Sequence, residues 1–422
     1  MEIELIVLKP MLTAVSPAGA VGLRVLSLFD GMSCGQQALE RIGVNVLEYY
    51  ASEIDKHAIT VTMHNYPNTN QLGSVIDVDG YKLPKIDLLI GGSPCQSFSF
   101  AGKRKGMSTK CETEILTLEH YLELKAEGYE FEGQSYLFWE YMRLLNEVKP
   151  KYFLLENVEM GEKWEKVLSK AIGVNGIHLN SDLVSAQNRK RIYWTNIGLE
   201  PAGLFGYPMS IIRKPKDKKI LLKDVLETEV DEKYFLSEKA IDRFARSEGG
   251  EKCLDNDNKS MCLISAYYKQ GRDNQLIVHN TMPRSGNPKQ GGTGHLSRND
   301  GKTYCLDTGN TNAVEIVLTS KDKRLKQTID ENNLTEGEIK ALDTYNQSIH
   351  DRYPTLKDPK HNDRALFDGS RIRRLTPIEC ERLQTVADNY TAHVSDSQRY
   401  KMLGNGWTID VIAHILSYGE WL

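Results

Sequence analysis

Strand-like apolar runs and amphipathic segments alternate through the first half of the chain. The strand-like runs lie at residues 23–29, 48–54, 85–92, 151–158 and 189–197. Segments with helical spacing of apolar positions lie between them, at 34–43, 56–66 and 136–148. Buried strands separated by helices are typical of a parallel sheet covered by helices on both faces. The pattern therefore predicts an α/β fold with a doubly wound, mostly parallel sheet.

The pattern changes after about residue 200. Residues 245–315 are rich in Gly, Asn, Asp and Ser, and turn signals separate short strand-like runs there. Those runs lie at 261–268, 274–280, 303–308 and 313–318. We interpret this region as a smaller, irregular β-rich module.

The end of the chain returns to helical patterns. Charged helical stretches occupy about 321–348, and Thr376, Pro377 and Glu379 form the signature of a capped helix start. An apolar-faced helix follows the loop "GNGWTID" at the end of the chain. We divide the chain into a leader, the first part of the main domain, the β-rich domain and a return to the main domain: 1–22, 23–200, 201–370 and 371–422.

Composition narrows the class of protein. The chain has 422 residues, 40% apolar and 26% charged, with a formal net charge of −4. These values are ordinary for a globular protein and give no overall basic excess for nucleic acid. The lysine-rich stretch 211–223 is either a local basic patch or a solvated loop. No run reaches the ~20 apolar residues that a membrane span needs, and the leader lacks the basic flank of a signal peptide.

The seven cysteines are scattered, and no CxxC occurs. This spacing argues against a disulfide framework and against a paired-cysteine zinc site. It favours a reducing, intracellular setting, in which one cysteine is a candidate nucleophile and the others pack in the interior.

Candidate functional residues follow the predicted strands. Asp30, Glu53, Cys95 and Glu156 all lie at strand ends. Ligands of open α/β sheets bind beyond the carboxyl ends of the strands, so we expect these side chains to line one site.

A glycine loop links the first strand to the first helix. Gly31 and Gly35 would let backbone N–H groups approach the anionic end of a cofactor, and Glu53 would accept hydrogen bonds from ribose hydroxyls. The dinucleotide fingerprint G-x-G-x-x-G is not met. The alternatives at this point are an adenosine-containing cofactor and a purely structural glycine turn.

Three further motifs carry candidate chemistry. Cys95 follows Pro94 in "GGSPCQSFS", a stiffened loop that could present a thiolate to an electron-poor carbon. Glu156 ends an apolar strand, where a carboxyl is costly unless it is paired or used as a proton donor; the alternative is a helix cap. Arg189 and Arg191 alternate along a strand and suit carbonyl or phosphate oxygens; the alternative is a salt-bridged strand edge.

Taken together and in order, these segments resemble the DNA (cytosine-5)-methyltransferases, which use S-adenosylmethionine. The resemblance covers about residues 23–200 and 371–420. The motifs that carry it are "LFDGMSCG", "SEID", "GGSPCQSFSFAGKRKG", "SYLFWEYMRLL", "LLENV", "VSAQNRKRIYW", "RRLTPIECERLQT" and "GNGWTID".

The resemblance implies a catalytic role for four residues. Cys95 matches the nucleophile that adds to cytosine C6, and Glu156 matches the acid at N3 and the exocyclic amine. Arg191 matches the arginine near the base O2, and Arg189 matches the arginine that supports the cysteine and the acid.

The cofactor residues that it implies are Phe29 against the adenine and Glu53 on the ribose. Ser74 lies where the family usually has an acid for the adenine N6, so the chain departs from the family pattern there. The remaining cofactor-binding residues implied by the motifs are Asp30, Gly31, Gly35, Ile54, Pro94 and Asn405.

The DNA contacts that it implies lie in two regions. The loop after the cysteine supplies Gln96, Ser99, Lys103, Arg104 and Lys105. The β-rich region, which has no family motif, would choose the target sequence. Its candidate DNA contacts are Arg272, Arg284, Lys289 and Arg298.

We therefore expect a monomeric, cytoplasmic, prokaryotic or phage-encoded enzyme that methylates C5 of a flipped-out cytosine in double-stranded DNA. S-adenosylmethionine is the expected cofactor, no metal is expected, and a restriction endonuclease is a possible genetic partner. The alternatives are a tRNA cytosine methyltransferase on the same fold, although its Cys-Phe-Thr element is absent, an inactive DNA-binding relative, and a nicotinamide-dependent dehydrogenase.

Overall fold

A mixed β-sheet organises the protein, as seen in a computed structural model. The described residues are 22–94, 107–202, 207–235, 259–260, 262–263, 265, 276–278 and 372–421. Within them, seven strands form the main sheet in the order β3-β2-β1-β4-β5-β7-β6. These strands are β1 (Leu23–Leu28), β2 (Val46–Ser52), β3 (Asn70–Gln71), β4 (Leu88–Gly92), β5 (Tyr152–Val158), β6 (Ile177–Asn180) and β7 (Lys190–Thr195).

Helices of the described part cover the sheet and connect its strands. They are α1 (Cys34–Arg41), α2 (Lys56–Asn65), α3 (Leu118–Ala126), α4 (Phe138–Val148), α5 (Glu162–Ile172), α6 (Pro377–Leu383), α7 (Asp396–Asn405) and α8 (Ile409–Leu416). Each helix predicted at 34–43, 56–66 and 136–148 is present with ends within two residues of the prediction. No helix in the described ranges is long and apolar enough to cross a membrane.

Alternating side chains of the strands enter two separate cores. On β1, Val25 belongs to the core that contains α1 and α8, whereas Leu26 belongs to the core that contains α4 and α5. Leu154 and Leu155 on β5 divide in the same way. Because successive strand side chains point to opposite faces, a sheet buried on both sides reads as a continuous apolar run. The predicted doubly wound α/β fold is confirmed.

One strand of the sheet runs against the others. Strands β1, β2, β3, β4 and β5 pair in parallel, whereas β7 is antiparallel to both β5 and β6. This reversal places Arg191, near the start of β7, opposite Val158 at the end of β5. The start of β7 therefore meets the carboxyl ends of the parallel strands, which is what brings Arg191 to the predicted site.

The chain returns to the main sheet at its end. Helix α6 begins with Thr376 as its N-cap and with Glu379 completing a capping box, as the sequence predicts. Strand β11 (Ile372–Arg374) pairs antiparallel with β10 (Leu276–Val278), which falls within the strand predicted at 274–280. The strands predicted at 303–308 and 313–318 lie outside the described residues, as does most of 261–268.

Residues just after the main sheet also pack on it. A short hairpin, β8 (Leu199–Ala202) with β9 (Tyr207–Ser210), is followed by a segment whose apolar side chains join the core beneath α1 and α8. Those side chains are Ile212, Leu222, Val225 and Tyr234. In the lysine-rich stretch 211–223, Lys218 forms an ion pair with Asp410 of α8. The division of the chain at residue 201 and the leader at 1–22 stay predictions.

Candidate active site

The loop after β1 adopts an unusual backbone conformation. Phe29, Gly31 and Ser33 have φ angles of 58°, 59° and 61°. Left-handed conformations are costly for residues other than glycine and concentrate at functional sites. The loop is tied to the neighbouring strand end by a hydrogen bond of 3.2 Å from the Asp30 N–H to the Ser52 carbonyl. The half-buried Phe29 ring is thus presented at the carboxyl edge of the sheet.

Asp30 is a buried acid with spare hydrogen-bonding capacity. The Tyr49 hydroxyl donates to its Oδ1 over 2.8 Å, while Oδ2 has no hydrogen-bond partner among the described residues. Burial raises the pKa of the Asp30 carboxyl from its ordinary 3.8 to about 6, and hydrogen bonds from neighbouring hydroxyls offset part of this effect. A buried carboxylate oxygen without a partner is the kind of group that a bound ligand would satisfy.

Glu53 connects the first two strand ends. Its Oε2 accepts from the Gly31 N–H at 2.8 Å, and its Oε1 accepts from the N–H groups of Ile54 and Asp55 at 2.7 and 2.8 Å. These bonds fix the carboxylate beside the glycine loop and leave lone pairs for a further donor. The Ile54 side chain, next in sequence, is 72% exposed, which makes it an apolar surface available to a flat ring.

Gly35 and Ser74 have clear structural surroundings. A Cβ on Gly35 would lie 2.2 Å from Ile90 Cδ1 and 2.7 Å from the Tyr49 hydroxyl, so glycine lets α1 pack closely on the sheet. Ser74 is half-buried, and its hydroxyl accepts a 3.3 Å hydrogen bond from the Ile76 N–H. Their roles toward a cofactor stay predictions.

Glu156 lies in β5, where it pairs with Gly92 of β4. Its carboxylate is contacted by two side chains. Nε of Arg191 lies 2.8 Å from its Oε1, and the Trp407 indole N–H donates to its Oε2 at 3.2 Å. The carboxylate is only 8% exposed. Since it lies inside a strand and pairs with an arginine, it is not a helix cap.

Arg189 and Arg191 differ in what they contact. Arg189 precedes β7 and is buried, and its Nη2 donates to the carbonyls of Gly404 and Gly406 at 3.2 and 2.8 Å. It therefore fastens the end of α7, whose last residue Asn405 is exposed, to the start of the loop that leads to α8. No hydrogen bond or ion pair joins Arg189 to Glu156 in the described part of the chain. The two arginines do not form a sheet edge, because β7 lies between β5 and β6.

The segment that leads to Cys95 is anchored at its start. The buried Asn157 amide donates to the Ser93 carbonyl at 3.3 Å and to the Ser93 hydroxyl at 3.0 Å, next to the half-buried Pro94. The other residues predicted for this loop and for the β-rich region lie outside the described residues: Cys95, Gln96, Ser99, Lys103, Arg104, Lys105, Arg272, Arg284, Lys289 and Arg298.

The sequence patterns did not predict a role for four further residues of the site. Trp407 contacts the acid and Asn157 the cysteine loop, while Gln187 and Gln384 form a buried link behind them. Gln187 donates to Gln384 Oε1 at 3.2 Å, and Gln384 donates to the Leu403 carbonyl at 2.6 Å. Each lies inside a motif already quoted, but sequence spacing gives no sign of which motif residue touches which.

The buried Cys34 does not qualify as a nucleophile. Burial raises the pKa of the Cys34 thiol to about 12, which leaves it protonated and unreactive. Within the described residues, no group of three or more His, Cys, Asp or Glu side chains is placed to hold a metal ion.

A sequence model for "C-5 cytosine-specific DNA methylase" matches residues 23–418, nearly the whole chain. The chain belongs to this family. It is accordingly a DNA (cytosine-5)-methyltransferase, and enzymes of this kind use S-adenosylmethionine. The family match continues well beyond the strands of the main sheet, which all lie between residues 23 and 195.

Two relatives span almost the full length of this methylase. It is 28% identical to the orphan methyltransferase M.SPRI of Bacillus phage SPR, over 93% of this chain and 96% of the relative. It is 26% identical to the type II methyltransferase M.HgiCI of Herpetosiphon aurantiacus, over 93% of this chain and 97% of the relative.

Solved structures share the fold of this methylase. The methyltransferase EhMeth of Entamoeba histolytica superposes with a TM-score of 0.55 at 15% identity, covering 94% of this chain and 98% of that one. A DNMT2 variant of Spodoptera frugiperda gives a TM-score of 0.50 at 18% identity, covering 94% and 99%. At these identities the likeness concerns the fold alone.

Proposed function

We propose that this methylase transfers a methyl group to C5 of a flipped-out cytosine in double-stranded DNA, through a covalent bond between Cys95 and C6. The observation that carries the proposal is the arrangement of Glu156 between Arg191 and Trp407, level with Gly92 on the strand that leads to Cys95. An acid and a guanidinium held together at a strand end can bind the polar edge of a pyrimidine from one side.

The residues around the glycine loop fit S-adenosylmethionine. The partnerless Oδ2 of Asp30 and the anchored carboxylate of Glu53 can accept hydrogen bonds from amine and hydroxyl donors. Phe29 and the exposed Ile54 offer apolar faces to the adenine ring. When bound, this cofactor supplies an electrophilic methyl group on a sulfonium. Gly31, Gly35, Ser74, Pro94 and Asn405 remain proposed members of this site.

The proposed chemistry begins with the thiolate of Cys95. Its sulfur forms a bond to C6 of the cytosine, and the electron pair of the C5–C6 double bond moves so that C5 becomes nucleophilic. Glu156 donates a proton or hydrogen bond at N3, and Arg191 stabilises the charge that develops at O2. Arg189 holds the loop that carries Trp407, so that Trp407 keeps Glu156 in place.

The remaining steps restore the aromatic ring. The C5 electron pair would form the bond to the methyl carbon as the bond of that carbon to the cofactor sulfur breaks, which would leave a neutral thioether, and a base or water then removes the C5 proton. The electron pair of that C–H bond re-forms the C5–C6 double bond while the Cys95 thiolate leaves, and the N3 proton returns to Glu156, which balances the reaction.

DNA binding must expose the cytosine, because C6 is unreachable inside a stacked duplex and flipping costs a few kcal/mol. We propose that Gln96, Ser99 and residues 103–105 close over the flipped base. We also propose that Arg272, Arg284, Lys289 and Arg298 contact the DNA of the target, since cationic side chains on phosphates offset such costs. Relatives named as type II methyltransferases support a cognate restriction endonuclease as genetic partner and a DNA-associated enzyme of a bacterium or phage.

Mechanism-based trapping tests the proposal. A duplex carrying 5-fluorocytosine should form an adduct that survives denaturation, because fluorine at C5 cannot leave as a proton does. Cys95→Ala should abolish the adduct, whereas Cys111→Ala, an exposed cysteine of the described part, should not. An adduct that persists in Cys95→Ala would overturn the mechanism. Methyl incorporation into tRNA but not into duplex DNA would overturn the proposed substrate.

A further inference from the structure

A short segment from the middle of the chain runs beside the arginine motif. The Ser260 N–H donates to the Ala186 carbonyl at 2.6 Å, and the Asn188 N–H donates to the Ser260 carbonyl at 2.8 Å. The Leu263 N–H then donates to Oε1 of the buried Gln187 at 2.8 Å. Residues 259–260 and 262–263 are therefore fixed against the residues that precede β7.

The segment is also anchored through the Lys259 ammonium. It donates to the Ser185 carbonyl at 3.1 Å and to the carbonyl of Ile220. Burial lowers the pKa of this half-buried lysine, although carboxylates nearby oppose the effect. The Lys259 ammonium and the Leu263 N–H are therefore anchored on the two sides of Cys262, which restricts where Cys262 can lie.

The sulfur of Cys262 lies between the two arginines of the site. Arg189 Nη1 lies 3.2 Å from the sulfur, and Arg191 Nη2 lies 3.8 Å from it. Although burial raises the pKa of the Cys262 thiol, the two guanidiniums hold it below its ordinary value. The sulfur thus accepts from one cationic side chain just before β7 and from one near its start, and its S–H can donate to the Leu263 carbonyl at 3.5 Å.

The arginines extend this contact to the catalytic acid and to the last loop. Arg191 uses its Nε for Glu156 while its Nη2 faces the sulfur. Arg189 uses its Nη2 for the carbonyls of Gly404 and Gly406 while its Nη1 faces the sulfur and the Leu263 carbonyl. The sulfur therefore contacts the second end of both guanidiniums, together with the Leu263 carbonyl at Arg189 and the Lys190 carbonyl, to which Arg191 Nη1 donates at 2.7 Å. A fixed guanidinium has fewer orientations to lose when substrate binds.

We propose that Cys262 is a positioning residue that orients Arg189 and Arg191 for methyl transfer, so that its contacts couple the region between the two parts of the proposed main domain to the active site. This inference rests on the proposed function. The base is contacted by Glu156 and Arg191, and Cys262 acts through the arginines.

Steady-state kinetics test the positioning role. Cys262→Ala should lower kcat about tenfold, with less than a threefold change in KM for DNA. Cys262→Ser should lower log kcat by less than half as much as Cys262→Ala does, because a hydroxyl also accepts hydrogen bonds from guanidinium N–H groups. Cys111→Ala is the matched control. An unchanged kcat in Cys262→Ala, or equal losses in the Ala and Ser variants together with a lowered melting temperature, would overturn the proposal.

A measurement that needs no catalysis separates this proposal from the proposed function. The rate at which iodoacetamide alkylates Cys262, followed by peptide mass spectrometry over pH, gives the apparent pKa of the thiol. Arg191→Met should raise that pKa and leave the value for Cys111 unchanged. An unchanged Cys262 pKa would overturn the proposed sulfur–guanidinium contact even in an active enzyme. If Arg191→Met raises the Cys262 pKa but the wild-type protein does not methylate duplex DNA, the proposed function is overturned and the sulfur–guanidinium contact stands.

Discussion

The indole N–H of Trp407 donates a hydrogen bond of 3.2 Å to Oε2 of Glu156, although 251 residues separate them in the chain. A Cβ on Gly92 would lie 2.8 Å from the Trp407 Nε1 and 3.2 Å from the same carboxylate oxygen. The absence of a side chain at Gly92 therefore makes the contact possible. The last segment of the chain thus supplies part of the proposed catalytic edge.

Removing this hydrogen bond should reduce catalysis more than stability. Trp407→Phe keeps an aromatic ring but loses the donor, so Glu156 keeps only Arg191 as its charged partner. Because hydrogen bonds to charged groups contribute roughly 1.5–3 kcal/mol, kcat should fall about tenfold or more. Trp421→Phe is the control, since its indole donates to the Leu416 carbonyl at 2.7 Å away from the site. Equal kcat values in the two variants would contradict the role given to Trp407.

The buried acid Asp30 should make stability depend on pH. Its pKa is raised, so the folded protein binds a proton more readily than the unfolded chain between pH ~4 and ~6. Stability is therefore lost as pH rises through this window. Asp30→Asn should stabilise the protein without bound cofactor by roughly 3 kcal/mol at neutral pH, and by progressively less as pH falls toward 4.

Urea unfolding at pH 7.5 and pH 5 measures this difference. The exposed Asp77→Asn serves as the control, and its effect on the free energy of unfolding should be small at both values. A stabilisation by Asp30→Asn that does not diminish at lower pH would show that the Asp30 carboxyl is not titrating there.

The close packing of α1 on the sheet predicts an asymmetry between two glycines. Gly35→Ala would place a Cβ 2.2 Å from Ile90 Cδ1 and 2.7 Å from the Tyr49 hydroxyl, so α1 must shift. Overpacking of this kind costs about 1–3 kcal/mol. Gly161→Ala meets no atom within 4 Å, so it should cost only the roughly 1 kcal/mol or less by which alanine is a poorer N-cap for α5 than glycine. Thermal melts of the two variants provide the comparison, and equal melting temperatures would contradict the packing argument.

The return of the chain to the sheet contains a buried ion pair. Arg373 and Glu379 form two hydrogen bonds of 2.8 Å each, and both side chains are fully buried. Glu379→Gln should destabilise the protein by about 3–5 kcal/mol, because it leaves a buried cation. The double variant Arg373→Met with Glu379→Leu should lose less free energy of unfolding than the single variants Arg373→Met and Glu379→Leu lose in sum.

The exposed pair Arg382–Asp388 is the control for this prediction. Asp388→Asn should change the free energy of unfolding by less than about 1 kcal/mol, since exposed pairs contribute little. If the double variant Arg373→Met with Glu379→Leu loses as much stability as its two single variants lose in sum, Arg373 and Glu379 are not energetically coupled.

Local patterns in the sequence predicted five of the seven described strands of the main sheet, and missed the short β3 and β6. The apolar runs became β1, β2, β4, β5 and β7 because a strand buried on both faces must be apolar at successive positions. The helix start at Thr376 followed from side-chain hydrogen bonds within four residues, which sequence spacing encodes directly. The placement of Asp30, Glu53 and Glu156 at one edge followed from the parallel strand order.

The sequence by itself thus determined the α/β fold, the family and the motif residues, since periodicity and short spacings are properties of neighbouring residues. Only the tertiary structure decided how those motifs meet. It reversed β7 so that Arg191 reaches Glu156, gave Arg189 to the last loop, and brought Trp407 and Cys262 to the site. Such contacts depend on strand direction and on packing between residues far apart in the chain, which no local pattern records.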